Sequence, residues 1–105
     1  VFNAMSYSED AKDVYRYIQD HTEENATISF NKPPVVAINT NRTSVSDISL
    51  AEQGVPLYLL ITEDEYAEHQ VTDEFASLAD LEASYGVTLT LVYENPLFQL
   101  YSVAR

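Results

Sequence analysis

The chain has 105 residues, 46% of them hydrophobic, with five basic side chains against seventeen acidic ones and a formal net charge of −12 at pH 7. That length and apolar share build one domain, residues 1–105, with a core of its own, and they exclude a disordered chain. The charge argues against nucleic acid as a partner, because a phosphate backbone would be repelled. The absence of cysteine rules out a disulfide, a thiolate nucleophile and a cysteine-type zinc centre.

Ser6-Tyr7-Ser8-Glu9 has the form of a capping box, with Ser6 as N-cap and Glu9 three residues on. Behind it Ala11, Val14, Tyr15 and Ile18 recur at i, i+3, i+4 and i+7. This predicts a helix ending near His21, with Asp10, Asp13 and Asp20 on its other side. Residues 26–30, with Thr27, Ile28 and Phe30, read as a strand. Pro33 and Pro34 suit the first turn of a short helix over residues 35–39, stopped by Asn39-Thr40-Asn41, and residues 43–45 read as a brief second strand.

Residues 57–61 (Leu-Tyr-Leu-Leu-Ile) are apolar on both faces, as a central parallel strand between helical layers should be. Thr62-Glu63-Asp64-Glu65 forms another capping box, so a helix is expected directly after it, and a second helical stretch is predicted over residues 73–85. That helix turns Leu78, Leu81 and Tyr85 inward and has Gly86 at its C-terminal cap. Val87, Leu89, Leu91 and Tyr93 alternate with Thr88, Thr90 and Val92, a half-buried strand. Asn95-Pro96 then turns the chain into a last strand over residues 98–103. Alternating elements predict an α/β fold: a single three-layer domain whose sheet of about five mostly parallel strands ends in an antiparallel hairpin.

The residues mark no catalytic centre. Gly54 and Gly86 are the only glycines, too few for a phosphate-cradling loop, and no cofactor or metal is expected. His21 suits a helix C-terminus, and His69 reads as solvated. Glu63, Asp64, Glu65 and Glu68 read as a solvated helix face, because calcium loops alternate their oxygens around a glycine-permitted turn. The longest apolar run, residues 55–61, is broken by Pro56 and falls short of the roughly 18 residues that span a bilayer. Any membrane segment is therefore expected outside a chain that starts at Val1 without an initiator methionine.

Eleven carboxylates and no lysine or arginine lie between Arg42 and Arg105, so cations concentrate in the first half. Lys32 and Arg42 flank the short proline-initiated helix, placed just beyond the carboxyl end of the first strand, the edge at which open α/β sheets bind ligands. With Asn39 and Asn41 they form the candidate substrate-binding set. Of the tyrosines, Tyr15, Tyr58 and Tyr85 read as core or near-core, while Tyr7, Tyr17 and Tyr66 are candidates for exposure and for contact with a polyol.

Several of these residues carry a family resemblance. Tyr17-Ile18, His21-Thr22, Asn25-Ala26, Ile28-Ser29-Phe30, Lys32-Pro33, Arg42, Val92-Tyr93-Glu94-Asn95 and Phe98-Gln99-Leu100-Tyr101 resemble the C-terminal tail of bacterial membrane glycosyltransferases of the GT-C class, similar to protein mannosyltransferases. The departures are His21 for asparagine, Glu23 for the proline after Thr22, and Pro34 for the arginine after Lys32-Pro33. The resemblance implies an extracytoplasmic domain without catalytic residues, attached to the membrane through segments absent from this chain. Its partner would be the transmembrane part of the same protein, and its ligand a lipid-linked sugar or an acceptor glycan. The alternative is a free-standing carbohydrate- or protein-binding module of a bacterial surface protein.

Overall fold

The computed structural model describes residues 9–31, 33–63 and 75–105. Helix α1 (Glu9–His21) forms on the predicted stripe, burying Ala11, Val14, Tyr15 and Ile18 while its charged residues face water. There follow β1 (Thr27–Ser29), α2 (Pro33–Thr40), β2 (Thr43–Val45), a 3-10 turn (Ile48–Leu50), β3 (Leu57–Thr62), α3 (Leu78–Tyr85), β4 (Thr88–Glu94) and β5 (Phe98–Ala104). The Ser6 cap and the helix expected after Thr62 lie outside the described residues. None of the described helices is long and apolar enough to cross a membrane.

The strands form one mixed sheet in the order β2-β1-β3-β5-β4, with β1 parallel to β2 and β3, and β5 antiparallel to β3 and β4. The α/β architecture and the closing hairpin are as the sequence predicts. Strand β3 is central, parallel to one neighbour and antiparallel to the other. Side chains alternate across the sheet. Ile28, Phe30, Leu60, Phe98 and Leu100 pack under α1 and α2, whereas Leu57, Leu59 and Ile61 pack with Ile48 and Leu81 on the α3 side. Burial on both faces is why β3 reads as an unbroken apolar run.

Two local readings are corrected. Helix α3 starts at Leu78 and not near residue 73, because the Ser77 hydroxyl accepts the Asp80 N–H (3.2 Å) as an N-cap and residues 75–77 bend. Gly86 closes the helix at φ 68°, as expected of a C-terminal cap. In β4 the alternation breaks after Leu91: the pairing slips between Leu91 and Tyr93, so Tyr93 pairs with Leu100 and packs on the α1 side, opposite the face of Leu89 and Leu91, and Leu91 is 46% exposed. The open edge of β4 is guarded from both faces. Glu82 Oε2 takes the Leu89 N–H (2.7 Å), and the Tyr17 hydroxyl donates to the Val92 carbonyl (3.1 Å). Both groups would otherwise be free to pair with a foreign strand.

Candidate functional site

Helix α2 decides where the candidate residues lie. It starts beyond the carboxyl end of β1, and its eight residues, rising about 12 Å, carry the chain back toward the amino ends of the parallel strands, where β2 begins. Arg42 immediately precedes β2, so it sits at the amino edge of the sheet. Its expected place at the carboxyl edge is therefore corrected: a parallel crossover must return the chain to the edge from which it started. Lys32 lies outside the described residues.

Arg42 is 9% exposed, and its guanidinium joins the C-terminal ends of two helices. Nε donates to Thr22 Oγ1 (3.2 Å), Nη1 to the carbonyls of Thr40 (3.3 Å) and Asn41 (3.5 Å), and Nη2 to those of Gln19 (3.1 Å) and Thr22 (3.2 Å). A guanidinium carries five N–H donors, and all five are used. Carbonyls left over at the ends of α1 and α2 are thereby satisfied, and the cation lies at the negative ends of two helix dipoles. A phosphate could recruit this guanidinium only by stripping those carbonyls.

Asn41 and Arg42 line an open groove of about 610 Å³ together with Gln19, Thr22, Glu24 and Thr40. Asn41 holds φ 56°, a left-handed conformation that asparagine tolerates, and its N–H closes the helix on Ala37 O (3.1 Å). Asn39 is exposed on α2, and its amide donates back to Val35 O (2.7 Å). The structure thus brings together two of the four residues singled out, Asn41 and Arg42, with Asn39 on the neighbouring helix surface. What Arg42 does in this groove is join two helix ends.

Three residues behind the family resemblance, Tyr17, Tyr93 and Asn95, meet against α1. The Tyr17 ring stacks on His21 (4.3 Å) and on Tyr93 (4.6 Å), so Tyr17 is half-buried and not the open platform expected. His21 Nδ1 donates to Tyr17 O (3.3 Å), the helix-end role the sequence suggests. Asn95 Nδ2 reaches Asp10 O (2.9 Å) and Tyr93 Oη (3.2 Å), while its Oδ1 accepts from the N–H groups of Leu97 (3.0 Å) and Phe98 (2.9 Å). Tyr7 and Tyr66 lie outside the described residues, as does His69.

One polar pair escaped the sequence reading. The Tyr58 hydroxyl donates to Glu23 Oε1 (2.8 Å) across 35 residues of chain, and no local signal marks that contact. Burial, the Glu23 hydrogen bond and the Glu23 charge push the Tyr58 hydroxyl up from 10.0 to about 12. Because the folded state holds this proton more tightly than the unfolded chain, its stabilising effect is whole below pH 10 and fades as pH climbs from 10 toward 12. Alkaline unfolding followed by circular dichroism should show that loss in the wild type, and Tyr58→Phe should flatten it. An unchanged pH profile in the variant would refute the pairing.

No family model, no curated protein and no solved structure matches this chain. Among the described residues, no cluster of three or more histidine, aspartate or glutamate side chains could hold a metal ion.

Proposed function

We propose that this chain is an accessory, non-catalytic extracytoplasmic domain of a membrane glycosyltransferase that takes sugar from a polyprenyl-phosphate donor. The observation that carries the reading is the convergence of the resembling residues. Tyr17, Tyr93 and Asn95, up to 78 positions apart in the chain, touch one another or the same helix, and Phe98 follows from the same turn. Residues that hold one another in place preserve their spacing because the fold needs it. A likeness spread over distant short segments is then a likeness of fold. The acidic surface fits a domain kept off anionic lipid headgroups, which would stand over the membrane-embedded part of its own protein without lying on the bilayer.

The reading has two checks. The coding sequence preceding Val1 is expected to encode a series of hydrophobic spans, each about 20 residues long; a signal peptide alone would favour a free-standing surface module. The purified chain is expected to transfer no sugar from a polyprenyl-phosphate donor. Turnover that disappears when a residue of this chain is replaced would overturn the non-catalytic assignment.

A further inference from the structure

At the carboxyl end of β3, on the α3 side of the sheet, an open pocket of about 250 Å³ is lined by Ile61, Glu63, Phe75, Ser77, Gln99 and Tyr101, among others. The sheet register builds it. Ile61 pairs with Gln99 and Leu59 with Tyr101, so Gln99 and Tyr101 stand two residues apart on the face that Ile61 shares. Glu63 follows two residues after Ile61, and Glu94 pairs with Gln99 from the other side. The Tyr101 hydroxyl is pushed up by burial, then by the charges of Glu94 and Glu63, so both carboxylates act on one phenol. This is the edge of an open α/β sheet at which ligands bind, and it is the opposite edge from Arg42.

We propose that this pocket binds one neutral sugar ring, a terminal hexose or N-acetylhexosamine unit of an acceptor glycan. Carboxylate and amide side chains can each take two neighbouring hydroxyls of a polyol, and an aromatic ring beside them offers an apolar wall to the sugar's C–H face. At about 250 Å³ the pocket lies just below the range of about 300–1,000 Å³ that holds drug-sized ligands, which limits the occupant to a small one such as a single ring. Charge decides the class. Glu63 and Glu94 repel a phosphate or a uronate, so the phosphate of a lipid-linked donor has no place here, and an uncharged sugar meets no such penalty. The sugar site stands on the pocket and its lining; its assignment to the acceptor rests on the function proposed above.

The test is NMR titration of the purified chain with mannose, glucose and N-acetylglucosamine, and separately with inorganic phosphate. At least one sugar is expected to shift the amides of Glu63, Gln99, Tyr101 and residues 75–78 saturably at millimolar concentration, and phosphate to leave them unmoved. Gln99→Ala and Glu63→Gln should each weaken that binding by about tenfold while keeping native amide dispersion. Tyr101→Phe, which preserves the packed ring, supplies a further variant and should weaken binding less. No saturable shift with any of the three sugars would overturn the proposal. So would shifts centred on the Arg42 groove, shifts of these residues by phosphate, or affinity unchanged in both Gln99→Ala and Glu63→Gln. Because the readout needs only this chain, failure here leaves the parent-protein reading standing, and a preceding sequence without membrane spans leaves the sugar site standing.

Discussion

Arg42→Ala is expected to lower stability by about 3 kcal/mol, read as a shift in the urea midpoint at unchanged slope. Removing the guanidinium strips the Thr22 hydroxyl and four backbone carbonyls of their donor at once. Each buried acceptor left unsatisfied costs about 1–3 kcal/mol, but the groove beside Arg42 is open, so water recovers part of the total. Lysine at this position keeps the charge with three donors at one point and no planar fork, so Arg42→Lys should restore less than half of the loss. The outcome separates two roles. An arginine held for a ligand could be removed with a change within about 0.5 kcal/mol, as at an ordinary surface position. A loss that small would show that the helix ends do not depend on Arg42.

Phe98→Ala is expected to cost more, about 3–5 kcal/mol. Phe98 is fully buried under α1, and its ring lies 6.5 Å from those of both Tyr15 and Phe30 in tilted contact. Truncation therefore removes the apolar surface of one ring and leaves a cavity bounded by two others. Native stability is only about 5–15 kcal/mol, so this single change takes a large part of it. Leu91→Ala, on the exposed edge of β4, is the matched control and should stay within about 0.5 kcal/mol. Thermal melts of the three proteins check the contrast, and similar shifts at both positions would show that the α1 side of the sheet is not the main core.

Much of this fold is legible locally because periodicity records which side of an element is covered. Ala11, Val14, Tyr15 and Ile18 mark a helix stripe, the apolar run of β3 marks two covered faces, and Gly86 marks a left-handed stop. These signals reach only a few residues along the chain. The start of α3 is hidden because the Ser77 cap competes with a helical pattern that begins earlier, and the face of Tyr93 is hidden because a bulge after Leu91 shifts the alternation without changing composition.

The candidate site was less legible, and the reason is topological. The sequence alone determined that Arg42 follows a short helix, that the second half is acidic, and that the glycines cannot cradle a phosphate. Only the tertiary structure decided which edge of the sheet Arg42 occupies and that its five donors are spent on two helix ends. The same holds for the meeting of Glu63, Gln99 and Tyr101 around one pocket. Strand order is set by long-range pairing, and one buried apolar strand is as good a neighbour as another until register, crossover and helix packing are chosen together. Burial is written locally in this chain, whereas neighbours are assigned only when the whole sheet closes.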